Sequence, residues 1–81
     1  MSMYTHQFYS DQRNGSLESA KIIVPILVDI FHPKSVIDVG CGTGTWLSVF
    51  KDYDIDILGV DGKWVDPYQL LIPKEKFKQV D

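Results

Sequence analysis

A short β-branched run, Ser35-Val36-Ile37-Asp38-Val39, leads without a break into three alternating glycines, Gly40-Cys41-Gly42-Thr43-Gly44. Valine and isoleucine favour the pleated conformation, and flanking turn residues bound the run, so it predicts a short buried strand. Thr45 to Tyr53 follows, placing Trp46, Leu47, Val49 and Phe50 at helical spacing. A strand that passes through glycines into a helix makes a ligand crevice for a physical reason. Strand carboxyl ends open outward, a helix start presents unpaired amides, and glycines let a ligand lie against the main chain.

The flanking segments extend this unit. Asn14-Gly15-Ser16 carries a turn signal with Ser16 as N-cap, so residues 1–15 are expected to be a flexible N-terminal segment and 16–81 the folded part. From there Leu17, Ala20, Ile23, Val24, Leu27, Val28, Ile30 and Phe31 fall on one helical face, with Glu18, Lys21, Asp29 and His32 opposite. Ile22 and Ile26 sit among the polar residues and are expected to be exposed. His32-Pro33 ends the helix. Ile55 to Val60 predicts a second strand ending at Asp61-Gly62, Asp66-Pro67 starts a short helix through about Leu71, and Phe77 to Asp81 begins a third strand. Strands separated by helical connections imply a parallel sheet with right-handed crossovers, which is part of a doubly wound α/β domain.

Several chemistries are excluded or weakened by the same residues. A phosphate-cradling P-loop needs a lysine after its glycines, and no Lys or Arg occurs between Lys34 and Lys51. The dinucleotide fingerprint begins at Gly40 and Gly42 but meets Thr45 at its third position. Asp52, Asp54 and Asp56 start a calcium-loop pattern, yet Ile57 and Lys63 stand where glycine and glutamate are needed. Cys41 has no adjacent base, which argues against a nucleophile. His6 and His32 are isolated and give no metal-ligand spacing. The 81 residues carry 8 Lys+Arg against 11 Asp+Glu, a net charge of −3 that argues against nucleic-acid or anionic-lipid binding. The longest apolar stretch falls far short of the roughly 20 residues that span a bilayer. With one cysteine and no visible secretory signal, a cytoplasmic location is the expectation.

Asp38-Val39-Gly40-Cys41-Gly42-Thr43-Gly44, with Gly59-Val60-Asp61-Gly62 at the end of the second strand, resembles the class I S-adenosylmethionine-dependent methyltransferases over almost the whole chain. The resemblance implies a Rossmann-like parallel sheet, here partial, with about three strands and flanking helices. It implies S-adenosylmethionine as cofactor, a ligand without phosphate that suits a loop without cations. Asp38 would accept from the methionine ammonium, and Gly40, Gly42 and Gly44 would lie against the methionine portion. Asp61 would accept from the ribose hydroxyls. Gly62 or Trp64 would face the adenine, and Asp81 would accept from its amino group. Trp46 is expected in the core.

A complete domain of this kind has on the order of 200 residues. The chain is therefore expected to be the cofactor-binding N-terminal portion, inactive alone, with no catalytic residue assignable and the methyl acceptor unspecified. In such a portion the first strand lacks a neighbour, and homodimerisation through that exposed edge is expected. Two other readings stay open: a dinucleotide-binding oxidoreductase fragment, and a non-catalytic α/β interaction module.

Overall fold

The computed structural model describes residues 6–80, with side chains from Gly15 onward. Helix α1 (His6–Phe31) leads into strand β1 (Ser35–Val39), helix α2 (Thr45–Lys51) and strand β2 (Asp56–Asp61). Two single-turn 3₁₀ helices (Pro67–Gln69 and Lys74–Lys76) precede strand β3 (Phe77–Gln79). The sheet order is β1-β2-β3, parallel throughout, with Ile37 opposite Leu58 and Val60 opposite Lys78. This is the expected Rossmann-like α/β arrangement in partial form: three parallel strands in an open sheet with flanking helices.

The hydrophobic core forms where α1 crosses α2 and where α2 lies on the sheet. Ala20 and Val24 of α1 and Leu47 of α2 have no exposed surface, and Val49, Phe50, Ile55, Ile57 and Ile72 close around them. Fully burying a Leu or Val side chain contributes about 1.5–3 kcal/mol. Leu47 and Val24, the largest fully buried side chains, therefore tie the helix pair together. Trp46 packs against this cluster, as expected of a core residue, together with Leu17, Leu27, Val28, Val36 and Phe77.

Three details differ from the sequence-based expectation, and a fourth refines it. First, α1 begins at His6, so Asn14-Gly15-Ser16 is helical and Ser16 is not an N-cap. A glycine inside a helix costs about 1 kcal/mol relative to alanine, too little to break a helix that continues on both sides. Second, the buried face of α1 is narrower than its apolar face. Ile23, Ile30 and Phe31 are exposed along with Ile22 and Ile26, because α2 spans only seven residues and covers only Ala20, Val24 and their neighbours. Third, β1 is buried on one face alone: Ile37 and Val39 are 65% and 75% exposed, while Val36 and Asp38 share the covered face with Ile57 and Gly59. Among the described residues no strand pairs with the other edge of β1. The fourth is a detail within the expected short connection Asp52-Tyr53-Asp54: after α2 ends at Lys51 these residues turn with 3₁₀-type hydrogen bonds, and Asp54 takes a left-handed φ of 61°.

The expected break after Phe31 is present, with His32 at φ 45° and its N–H donating to the Val28 carbonyl. Asp66 caps the first 3₁₀ turn by accepting from the Tyr68 N–H at 2.9 Å, and Pro67 supplies the fixed φ of its first position. At the opposite end of the sheet an exposed ion pair joins Lys76 Nζ to Asp56 at 2.8 Å. Among the described residues no helix is long and apolar enough to cross a membrane.

The course of α1 through Gly15 is directly testable. A Cβ added at Gly15 meets nothing within 4 Å. Gly15→Ala should therefore raise stability by about 0.5–1 kcal/mol in urea denaturation. Destabilisation instead would mean that Gly15 occupies a turn.

Candidate functional site

The site is built where two strands end side by side. After β1 the chain turns through Gly40, Gly42 and Gly44, which have φ of 81°, 59° and 86°. These left-handed angles are costly for any residue with a Cβ, which is why the glycines occur at alternate positions. The parallel ladder runs one step past the strand, since the Gly40 N–H donates to the Val60 carbonyl at 2.6 Å. The loop closes on itself through Gly44 N–H to Cys41 C=O at 3.0 Å, and Ser48 N–H to Gly44 C=O at 2.8 Å opens α2.

Asp61, the last residue of β2, reaches across to this loop. Its Oδ2 accepts from the Gly42 N–H and its Oδ1 from the Gly62 N–H, both at 2.7 Å. These are short, charge-assisted bonds, roughly twice as strong as neutral ones. The bond from Gly42 joins residues 19 apart in sequence and holds the glycine loop beside the β2 terminus. Asp38 stands half-buried on the covered face of β1, and among the described residues no hydrogen bond to its carboxylate is found. Burial raises its pKa, and the negative charge of Asp61 adds to the effect. The sign follows: the raised folded-state value favours folding while Asp38 is protonated, and this contribution is lost as pH rises through that value.

Cys41 feels the charge of both carboxylates. Burial first, then the charges of Asp38 and Asp61, push its thiol up to about 12. It stays protonated and donates to the Gly42 carbonyl at 3.3 Å. Its role is packing: a Cβ on Gly59 would lie 2.6 Å from Cys41 Sγ and 3.1 Å from Leu47 Cδ1, so the sheet must be bare there for the loop to sit down on it.

The structure thus brings together Asp38, Gly40, Gly42, Gly44, Asp61 and Gly62 at the carboxyl ends of β1 and β2. Asp81 falls outside the described residues. One partner of the loop had no signal in the motif. The Leu71 N–H donates to the Thr43 carbonyl at 2.8 Å, and Ile72 is packed so closely on Gly44 that a Cβ there would lie 3.0 Å from it. The apolar run Leu70-Leu71-Ile72 before Pro73 was the only hint that this segment returns to roof the loop.

With this geometry in place, a family model described as a methyltransferase domain matches residues 11–81. The chain belongs to that family. No curated protein and no solved structure matches it. The match starts inside α1, includes the whole glycine loop and continues through all three strands, so every element of the site lies within this methyltransferase domain.

The electrostatics of the domain give a reactivity prediction. A thiol held near 12 instead of 9.0 carries about 1000-fold less thiolate at pH 8. Alkylation of Cys41 by iodoacetamide at pH 8 should be slower than that of the urea-unfolded chain by about that factor, and should accelerate in Asp61→Asn. Equal rates in folded and unfolded protein would contradict the charge arrangement.

Proposed function

We propose that this methyltransferase domain binds S-adenosylmethionine in the crevice between the glycine loop and the end of β2. The observation that carries the reading is the Asp61 carboxylate, fixed by two main-chain amides at the strand terminus beside the loop. A carboxylate oxygen has two lone-pair directions, so each can still accept from a ribose hydroxyl while holding its amide. Asp38, half-buried and without a hydrogen bond from the described residues, supplies an acceptor for the ligand's ammonium. Gly40, Gly42 and Gly44 give the methionine portion main chain without side-chain bulk.

Charge disfavours a dinucleotide in this reading. A pyrophosphate placed on this loop would face the Asp38 and Asp61 carboxylates with no Lys or Arg between residues 34 and 51 to offset them. A ligand that is cationic at one end and uncharged at the other meets no such repulsion. When bound, its sulfonium methyl supplies the electrophile for transfer. This chain's residues contribute the orientation of that methyl and, through the packed wall of Leu47, Ile72 and Gly59, the exclusion of water beneath the loop. Cys41, protonated throughout the neutral range, takes no part as a nucleophile.

Calorimetric titration with S-adenosylhomocysteine tests the reading. Wild type should bind it and should not bind NAD. Asp61→Ala should lower the affinity by about 1.5–3 kcal/mol, the scale of hydrogen bonds to a charged group. Asp38→Asn should weaken S-adenosylhomocysteine while leaving adenosine unchanged. Binding of NAD in preference, or unchanged affinity in Asp61→Ala, would overturn the assignment.

A further inference from the structure

Helix α1 carries two apolar faces, and the domain core uses one of them. Ala20 and Val24 pack on α2, with Leu17, Leu27 and Val28 beside them. At 3.6 residues per turn Ile22, Ile26 and Ile30 fall on the far side of the helix from Val24, flanked by Ile23 and Ser19. Ile22, Ile26 and Ile30 are 68%, 53% and 61% exposed, and Ile23 is 40% exposed. Among the described residues no element buries them. These four side chains present on the order of 400 Å² of surface per copy, the size at which an apolar patch marks an interaction surface. No residue of the glycine-loop crevice lies on α1, so that site does not account for the stripe.

The spacing of the stripe says what fits it. Ile22, Ile26 and Ile30 form a row at i, i+4 and i+8. Such a row is the ridge that interdigitates with an identical ridge when two helices cross at about −50°, the commonest packing class. The row is also symmetric about Ile26. A two-fold axis at Ile26 of an antiparallel pair sets Ile26 against Ile26 and Ile22 of each copy against Ile30 of the other. The same register brings exposed Glu18 of one copy level with exposed Lys34 of the other, and Asp29 level with Ile23 rather than with a second carboxylate. Ser19, small and exposed beside the row, leaves room for close approach. We propose that this face of α1 is a dimer interface, on which a second copy of the chain packs its own isoleucine row antiparallel across a two-fold axis at Ile26. It is a different surface from the unpaired edge of β1. Two such patches and their rims bury on the order of 1,000 Å², the lower bound for a specific interface, so the dimer is reversible and half-formed at about 10–100 μM.

Sedimentation equilibrium of the full chain tests the proposal. Wild type should fit a reversible monomer–dimer equilibrium without larger species. Ile26→Lys sets two like charges against each other at the axis and should weaken dimerisation roughly 30-fold or more, the scale of a central interface residue. Val39→Lys, on the uncovered face of β1, should leave dimerisation unchanged. Disulfide trapping reads the register without relying on those variants. Under mild oxidation Ile26→Cys should cross-link to itself, and Ile22→Cys mixed with Ile30→Cys should cross-link more than either alone. Wild type, whose single cysteine is Cys41, should not cross-link. None of these readouts involves a ligand, so the result stands apart from the proposed function. A chain that stays monomeric well above the stated concentration would overturn the interface and leave the stripe to a partner of another kind. An open series of larger oligomers, or a dimer that survives Ile26→Lys and is lost in Val39→Lys, would overturn it equally.

Discussion

One hydrogen bond, from the Gly42 N–H to the Asp61 carboxylate, organises the functional end of this domain. The loop after β1 has three glycines in left-handed conformations, and such a segment loses more conformational entropy on folding than any other of its length. It is held by few contacts: the ladder bond to Val60, the Leu71 bond to Thr43, the packing of Ile72 on Gly44, and Asp61. Of these, Asp61 alone uses a charged group, and it ties the middle of the loop to the terminus of β2, where the Val60 carbonyl holds the loop's start. The residue proposed to accept from a ligand's hydroxyls is thus also the one that shapes the loop. Affinity and loop geometry cannot be separated at this position, and substitution there affects both.

The electrostatic character of the site follows from the same layout. The charge of Asp61 adds to the upward push of burial on Asp38, and Cys41, buried and near both carboxylates, does not ionise in the neutral range. A half-buried carboxylate without a hydrogen bond from the described residues is a local loss of stability in the free protein. Such a loss of stability is a common mark of functional positions. The absence of cations from residues 35–50 leaves the loop region with the negative charges of Asp38 and Asp61 unopposed by a neighbouring Lys or Arg in that stretch.

The layout of the loop and the two strand ends was legible in the sequence because its parts are local. Strand, glycines, helix and the acid ending the second strand are each read within a few residues, and Asp38, Gly42 and Asp61 come together as their spacing implies. Interactions between distant segments were not legible. The return of Leu71 and Ile72 onto the loop depends on a three-dimensional path that no local pattern encodes. Helix α1 was misplaced at its start because Asn14-Gly15-Ser16 satisfies a turn template while the cost of keeping it helical is small. The exposure of Ile37, Val39, Ile30 and Phe31 was also hidden, since apolar periodicity identifies a face and not what covers it.

The central claim, that Asp61 holds the glycine loop in place, is tested most directly by amide hydrogen exchange at Gly42. This N–H lies in a loop outside the strand ladder, so its protection should come from the Asp61 carboxylate alone. The account predicts measurable protection of Gly42 in wild type and its loss in Asp61→Ala, with the ladder amides of Leu58 and Val60 retaining theirs. Rapid exchange at Gly42 in wild type, or protection unchanged in Asp61→Ala, would contradict it.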